Sequence, residues 1–293
     1  MSMFDFSQIT VASVTGLQSV AGGALRSIEF CAGQLPGSRG LLFSPVPPPN
    51  ISSGIKHVQI KPFGYLEYGL FVLYSLGEFI ETDFALIVQD DGWILDAGNW
   101  RSEFLNYDYL GAPVHFARIK QDDGRLLYRR GFSWIADMAN GAMVENVYNG
   151  GFSLRSRRLL NAPRLLGLDF CIPAPNISQA APYSMQWDSD AALEDVWLCL
   201  TAREKLEHEG MRFPELEVAK NFSIEHAAPL LHSADSIQNI FGHHSKIRKI
   251  GDLNRRIVNY KIPLEDAEST YGEKWIIDVF IKNGYKINYT SHL

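Results

Sequence analysis

The stretch Phe84–Asp96 reads FALIVQDDGWILD and joins an apolar run to an acidic turn. The run Phe84–Val88 is apolar without interruption, which is typical of a strand in a parallel sheet, where helices cover both faces. Gln89, Asp90 and Asp91 follow at the carboxyl end of this strand. Ligands of open α/β sheets bind beyond such strand ends. The stretch therefore predicts an α/β fold and a site that includes these three residues.

The segments before this stretch alternate between strand-like and helix-like patterns. They read in order as strand, helix, strand, loop, strand and helix: ITVASVTG (9–16), VAGGALRSIEFCAGQL (20–35), GLLFSP (40–45), VPPPNISSG (46–54), HVQIKP (57–62) and YLEYGLFVLYSLGEFI (65–80). Such alternation predicts an open, mixed, mostly parallel twisted sheet flanked by helices. We expect a single domain over residues 1–245. A basic C-terminal extension, 246–293, is expected to pack on this domain or to mediate association.

The composition argues against nucleic-acid binding and against a membrane-spanning protein. The formal net charge is -6 and no arginine-rich arm is present, so we expect no nucleic-acid partner. No apolar run approaches the roughly 20 residues that span a bilayer, and the first residues lack a secretion signal. Cys31, Cys171 and Cys199 are widely separated, which suits reduced thiols. We expect a soluble, cytoplasmic protein.

The tetrapeptide Gln-Asp-Asp-Gly occurs at 89–92 and again at 121–124, inside RIKQDDGRLLYRR. Asp-Gly between strands is typical of a hairpin turn, because Gly adopts a positive φ and Asp tolerates one. The charged flanks of the second copy predict a solvated turn. In the first copy, adjacent carboxylates at a buried strand end repel each other unless a cation neutralises them. Mg²⁺ or Mn²⁺ is one such cation, bound by carboxylates and substrate phosphates; a solvated turn is the alternative.

Three further motifs carry groups that could bind a ligand or take part in catalysis. The glycine pair in NGGFSLRSRRLL (149–160) lets the backbone approach a ligand closely. LEDVWLC places Glu194 and Asp195 at a helix start, where the helix dipole favours an ionised carboxylate that could serve as a general base. His243 and His244 could each bind a metal through a neutral ring nitrogen. Each motif also has an ordinary structural interpretation: a glycine turn, helix N-terminal charge and a surface histidine pair.

Taken in order, the motifs VQDDGW, WRSEFLNYDYLGAP, YNGGFSLRSRRLL, EDVWLC, FSIEH and FGHH resemble a DUF5672-type family of glycosyltransferases. More distantly they resemble nucleotide-sugar transferases of the GT-A fold. The resemblance covers residues 8 to 245 and implies a GT-A-like, Rossmann-like domain. The ordered set of motifs is more specific than any one of its members.

The resemblance also implies roles for particular residues. Asp91 matches the last residue of an Asp-any-Asp motif that binds a divalent ion, Mn²⁺ or Mg²⁺, while Gln89 replaces the first Asp. His243 or His244 matches a histidine that completes the metal site, and His244 is preferred. Glu194 and Asp195 match an acidic pair that binds the acceptor and supplies the catalytic base. The donor nucleotide is expected at seven positions: Thr15, Gln89, Asp90, Asp91, Asn149, Gly150 and Gly151.

The implied activity is metal-dependent transfer of a sugar from a nucleotide-diphosphate sugar to a hydroxyl of a glycan or lipid-linked acceptor. Inversion at the anomeric carbon and a role in surface polysaccharide biosynthesis are expected. One alternative is a sugar nucleotidyltransferase, although the loop after the first strand offers only Arg26 to a triphosphate. Another is a non-catalytic sugar- or nucleotide-binding protein with a decayed site, which Gln89 favours.

The segment Lys246–Lys261 holds six Lys or Arg residues against one Asp. An ordinary solvated face is the first interpretation. The second is peripheral attraction to an anionic inner membrane surface, to which each basic residue near the surface contributes about 1 kcal/mol.

Overall fold

A computed structural model describes residues 5–120, 124–130, 143–172, 174–186, 193–229 and 231–290 of the chain. Its strands are, in chain order, β1 (Ile9–Val14), β2 (Arg39–Ser44), β3 (Ile55–Gln59), β4 (Phe84–Val88), β5 (Gly92–Ile94), β6 (Tyr109–Leu110), β7 (Pro113–Lys120), β8 (Leu126–Arg130), β9 (Met143–Tyr148), β10 (Phe152–Ser156), β11 (Asn176–Ile177), β12 (Met185–Gln186), β13 (Ser223–Ile224), β14 (Gly242–His244), β15 (Arg248–Asp252), β16 (Ile257–Tyr260) and β17 (Lys286–Tyr289).

The α-helices are, in chain order, α1 (Gln18–Gln34), α2 (Tyr65–Tyr74), α3 (Arg157–Leu165), α4 (Glu194–Val196), α5 (Arg203–His208), α6 (Leu216–Phe222), α7 (Ala234–Ile237), α8 (Leu264–Ser269) and α9 (Glu273–Lys282). Short 3₁₀ turns lie at Leu76–Phe79, Ala97–Asn99 and Ser102–Asn106. A π-helical turn, Trp197–Thr201, joins α4 to α5.

The main sheet has the strand order β3-β2-β1-β4-β10-β6. The first four of these are parallel to their neighbours, whereas β10 runs antiparallel to β4 and β6 runs antiparallel to β10. Alternate residues of β1 and β4 face opposite helices. Val11 and Leu86 pack in one apolar cluster with Ile28 of α1, while Ala12 packs in another with Val72 of α2. The prediction of a mixed α/β fold is therefore confirmed.

The open, mixed sheet that the sequence predicts holds only six of the strands, and the described residues form five separate sheets. The chain turns sharply after β4, where the Gly92 N–H donates to the Gln89 carbonyl at 3.1 Å. This turn directs β5 away from the main sheet, and β5 pairs instead with β14. The other small sheets are β8-β7-β9, β11-β12 and β15-β16-β17.

The order of the parallel strands reverses between β1 and β4. From β1 the chain builds outward through β2 and β3, and it then returns to add β4 on the opposite side of β1. The connections therefore diverge at the carboxyl ends of β1 and β4 and leave a crevice there. Strand β10 is antiparallel and pairs Phe152 with Val88, so the preceding residues 149–151 reach the same edge.

The C-terminal segment shares its core with the main sheet. Val258, Tyr260 and Phe280 belong to the same apolar cluster as Trp93 of β5 and Ile28 of α1. The division of the chain at residue 245 stays a prediction. Among the described residues, no helix combines the length and the apolar content needed to cross a membrane.

The second Gln-Asp-Asp-Gly copy lies between two paired strands. Strands β7 and β8 are antiparallel, with Lys120 opposite Leu126, and Gly124 has a φ of 81°. Both facts are typical of a hairpin turn. Gln121, Asp122 and Asp123 lie outside the described residues, so the solvated turn expected for them stays a prediction.

Candidate functional site

Two cavities meet at the carboxyl edge of the parallel strands, and Tyr65 and Gln89 line both. The aromatic cavity, of about 180 Å³, is lined among others by Thr15, Gly16, Phe63, Tyr65, Tyr68 and Asp90. The polar cavity, of about 420 Å³, is lined among others by Asp91, Asn149, Asp195, Glu225, His244 and Lys246. Their combined size is in the range of small-molecule sites, about 300–1,000 Å³.

Thr15 and Asp90 lie on the aromatic cavity. The Thr15 hydroxyl accepts from the Leu17 N–H at 3.1 Å and so fixes the turn between β1 and α1. The rings of Tyr65 and Tyr68 are stacked, with centroids 5.9 Å apart. A flat apolar wall beside a strand end is well suited to a planar ring of a ligand.

Gln89, Asp91 and Glu225 surround His244. The imidazole Nε2 of His244 lies 3.2 Å from Gln89 Oε1 and 3.1 Å from Asp91 Oδ1, while its Nδ1 lies 3.7 Å from Glu225 Oε1. The Gln89 amide also donates to the Tyr68 hydroxyl at 3.0 Å. Gln89 therefore links the two cavities through hydrogen bonds.

These contacts fix the charge of the cluster. Burial alone would lower the pKa of His244, but Asp91 and Glu225 outweigh it and raise that pKa to about 9. Burial would raise the pKa of Asp91, but His244 and Lys249 outweigh it and lower that pKa to about 2. His244 is thus an imidazolium held between carboxylates at neutral pH.

The two glycines of the Asn149–Gly151 segment are required by close packing at the site. A Cβ atom on Gly151 would lie 2.4 Å from His244 Nε2, and one on Gly150 would lie 2.4 Å from Glu194 Oε1. The Asn149 side chain accepts from the Gly151 N–H at 2.6 Å and donates to Glu225 Oε2 at 3.2 Å. The sequence predicts that the backbone at these glycines approaches a ligand closely. In the structure it approaches the side chains of Glu194 and His244 closely.

Glu194 and Asp195 have different surroundings, although they are neighbours in sequence. Glu194 is 3% exposed and pairs with the fully buried Arg155 at 2.9 Å. Asp195 reaches the polar cavity, where its carboxylate accepts the N–H groups of Gly150 at 3.0 Å and Val196 at 2.8 Å.

The sequence predicts a low pKa for the carboxylates at this helix start, but for Asp195 the structure shows the opposite. Burial, and next the charge of Glu194, raise the pKa of Asp195 to about 7. The three-residue helix α4 offers only a short dipole to oppose them. A carboxylate with a pKa near the operating pH is a stronger proton acceptor than an ordinary one.

His243 lies on the other face of β14 from His244 and is fully buried. Its ring packs edge-on against Trp93 at 4.0 Å, and its Nδ1 accepts from Arg248 at 3.0 Å. Burial and the Arg248 charge lower the pKa of His243 well below its usual value. Of the two candidate histidines, only His244 meets the other site residues.

Sequence reasoning missed the roles of Glu225, Arg155 and Lys249. Lys249 of β15 contacts Asp90 Oδ2, and its ammonium lies 3.4 Å from Asp91 Oδ2. The motif FSIEH contains Glu225, and the buried-strand pattern FSLRS contains Arg155, which marks a charge that needs a buried partner. No local pattern identifies Lys249, because its partners are 159 and 158 residues away in sequence.

The expected divalent ion can be judged against these side chains. Asp91, Glu225 and His244 offer oxygen and nitrogen donors, which Mn²⁺ accepts. However, the Lys249 ammonium already lies against both aspartates. Within the described part of the chain, no group of three or more His, Cys, Asp and Glu side chains is arranged so that it could hold a metal ion. The side chains as arranged do not fit a divalent ion.

Comparison with known proteins gives one family. The model of a family described as a protein of unknown function, DUF5672, matches residues 73–244. The match spans more than half of the 293-residue chain and includes the polar cavity residues from Gln89 to His244. Lys249 lies outside it. A search of curated proteins gives no match.

Proposed function

Because the chain belongs to the DUF5672 family, whose function is unknown, we propose an activity from the geometry of the site. The protein transfers a sugar from a nucleoside-diphosphate sugar to a hydroxyl group of a saccharide acceptor, free or lipid-linked. In this proposal the domain is a GT-A-like variant of the mixed α/β fold. The donor nucleotide occupies the aromatic cavity, and the sugar and acceptor occupy the polar cavity.

The observation that carries the proposal is the junction of the two cavities where the strand order reverses. Parallel α/β sheets bind nucleotides in the crevice at such a reversal. The Tyr65 and Tyr68 rings give the aromatic cavity a wall for a base, while Asp195 faces the polar cavity with a raised pKa. A nucleotide beside a positioned proton acceptor is the arrangement that sugar transfer requires.

The reaction forms one bond and breaks one bond at the anomeric carbon. The acceptor oxygen attacks this carbon, and the bond between the carbon and the diphosphate oxygen breaks. Asp195 accepts the proton of the acceptor hydroxyl, and the nucleoside diphosphate leaves with the electron pair. Attack from the face opposite the leaving group inverts the configuration. The Gly150 and Val196 N–H groups hold the Asp195 carboxylate in place for this step.

The alternative activity of a sugar nucleotidyltransferase gains no support. Arg26, on which it depends for triphosphate binding, donates its Nε–H to the Ile250 carbonyl at 3.3 Å. The decayed-site alternative rests on Gln89, which here forms hydrogen bonds with both Tyr68 and His244; we therefore give Gln89 a place in the proposed site.

Replacement of Tyr65 tests the nucleotide cavity. Tyr65 is 64% exposed, so Tyr65→Ala should leave the fold intact. We expect calorimetric titration with uridine and guanosine diphosphates to show binding to the native protein and a loss of about tenfold in Tyr65→Ala, since aromatic stacking on a base contributes about 1–3 kcal/mol. Tyr65→Phe keeps the ring and should bind as the native protein does.

Tyr183, which is 73% exposed and lines neither cavity, supplies a matched control. Tyr183→Ala should have no effect on the affinity. Equal nucleotide affinity in Tyr65→Ala and Tyr183→Ala would remove the aromatic cavity from the proposal.

A further inference from the structure

Lys249 occupies the position in which the sequence requires a cation. Asp90 and Asp91 are adjacent carboxylates at a buried strand end, and they need a positive charge close by. Lys249 contacts Asp90 Oδ2 and lies 3.4 Å from Asp91 Oδ2. Its side chain is only 22% exposed, so this is a partly buried pair and not a mobile surface contact.

The backbone on both sides of Lys249 is anchored. The preceding residue, Arg248, is fully buried and forms two hydrogen bonds to Glu273, at 2.8 and 2.9 Å. The carbonyl of the following residue, Ile250, accepts from Arg26 of α1. The Lys249 ammonium group therefore lies at the site on an anchored strand, β15.

Asp90 is also held in place, by packing against helix α1. Gly23 of α1 packs directly on the Asp90 side chain, since a Cβ at Gly23 would lie 2.7 Å from Asp90 Cβ. Helix α1 and strand β15 thus confine the aspartate between them.

The charges of the cluster leave little need for a divalent ion. Asp90 and Asp91 are two adjacent carboxylates, and the Lys249 ammonium lies against both of them. A divalent ion on Asp91 would lie beside this ammonium group. The positive charges of the divalent ion and of the Lys249 ammonium would repel each other strongly in this partly buried site.

We propose that Lys249 is the resident cation of this site, so that it excludes a divalent ion from Asp90 and Asp91 and makes nucleotide binding independent of metal. The nucleotide part rests on the proposed function, whereas the exclusion of the ion does not. Lys249 acts here as a positioning residue, through the two aspartates. This inference replaces the expected Mn²⁺ or Mg²⁺ with a side chain of the C-terminal segment.

The first test is a titration with Mn²⁺ alone, in which electron paramagnetic resonance measures the concentration of the free ion. We expect the native protein to bind no Mn²⁺ at micromolar concentrations. Lys249→Gln, which is polar and one bond shorter, removes the charge. It should bind Mn²⁺ at least about tenfold more tightly than the native protein does, since removal of a like charge favours a cation. Lys249→Arg keeps the charge and should behave as the native protein.

Lys261 is an exposed lysine of the same basic segment and gives the matched control. Lys261→Gln should leave Mn²⁺ binding unchanged. A micromolar Mn²⁺ site in the native protein would overturn the inference. Equal Mn²⁺ affinity in Lys249→Gln and in the native protein would also overturn it, because a purely structural lysine predicts no gain.

The second test repeats the nucleoside-diphosphate titration with and without a chelator. We expect equal affinity in the native protein under both conditions. Loss of binding in the chelator would contradict a metal-independent site. If neither nucleotide binds under any condition, the proposed function fails, and the Mn²⁺ titration still decides the role of Lys249.

Discussion

At the scale of single residues, Asp195 is the group on which the proposed chemistry depends. It has two neighbours of opposite effect, because Glu194 raises its pKa while Arg155, the partner of Glu194, lowers it. Burial and the charge of Glu194 together outweigh the effect of Arg155. The Asp195 carboxylate is therefore uncharged in acid and ionised above neutral pH. The proposed sugar transfer should therefore have a measurable pH dependence.

We expect kcat/KM for sugar transfer to rise with pH up to about 7 and then to level off, because only the ionised Asp195 accepts a proton. Initial rates across the range of pH measure this limb. A rate that stays constant through the same range would exclude Asp195 as the base.

The same shift predicts an effect on stability. The folded protein binds the Asp195 proton more tightly than the unfolded chain does, so the stabilisation present in acid is lost as pH rises from about 4 to 7. Asp195→Asn should therefore raise Tm at pH 8 by several degrees and should leave it unchanged at about pH 4. Glu209→Gln, at an exposed position after α5, is the control and should change Tm at neither pH.

Gly151 tests the packing around His244. Gly151→Ala would place a methyl group against His244 Nε2 and 2.9 Å from Gln89 Oε1, so both side chains must move. We expect a loss of about 1–3 kcal/mol in the free energy of unfolding and a clear fall in activity. Chemical denaturation measures the first effect.

Gly33 gives the opposite outcome and serves as the control. A Cβ there would meet no atom within 4 Å, and Gly33 lies inside helix α1. Gly33→Ala should stabilise the protein by about 0.5–1 kcal/mol. Similar losses in both variants would show that the contact with His244 is not the cause.

Individual site residues are easier to identify from the sequence than the residues that surround them. Asp91 and Asp195 are identifiable because residue type and position along the chain are sufficient: a carboxylate at the end of a buried strand, and another at a helix start. The raised pKa of Asp195 was not predictable, since it depends on burial by distant segments. The separation of His244 from His243 depends on the pairing of β14 with β5, which local sequence does not encode.

At the scale of elements, β1, β2 and β4 are largely apolar and buried, and their parallel pairing follows from the alternation with α1 and α2. The pair β5 and β14 was not predictable, because each strand has only three residues and shows no periodicity. Yet this pair places His244 beside Asp91. The elements that assemble the site are thus the ones that sequence patterns identify least well.

The ion pair between β15 and α9 anchors the strand that carries Lys249. Glu273 is 4% exposed and binds the buried Arg248 through both carboxylate oxygens. Glu273→Ala leaves the Arg248 charge buried without compensation, and we expect a loss of about 3–5 kcal/mol in the free energy of unfolding. Urea denaturation measures it.

Glu268→Ala, at an exposed position of α8, is the matched control and should change this free energy by less than about 0.5 kcal/mol. If the two variants were equally stable, the ion pair would not be a determinant of stability. The site would then not depend on this anchor.

At the scale of the whole molecule, the C-terminal segment takes part in both the core and the site. For the basic residues of Lys246–Lys261 the sequence predicts a solvated face or a membrane-directed patch. Within that segment Lys246, Arg255, Arg256 and Lys261 are exposed, whereas Arg248 is buried and Lys249 contacts the aspartates. Charge composition alone does not separate these two groups, because both have the same residue types.

The central claim is that the two cavities together bind a nucleotide sugar and transfer its sugar. The most direct measurement is product formation, by mass spectrometry, from a panel of nucleotide sugars and saccharide acceptors, with native protein and Asp195→Asn. We predict transfer or slow hydrolysis of at least one nucleotide sugar by the native protein, and a rate lower by about 10²- to 10⁴-fold in the variant. No reaction with any nucleotide sugar, or an undiminished rate in Asp195→Asn, would contradict the account.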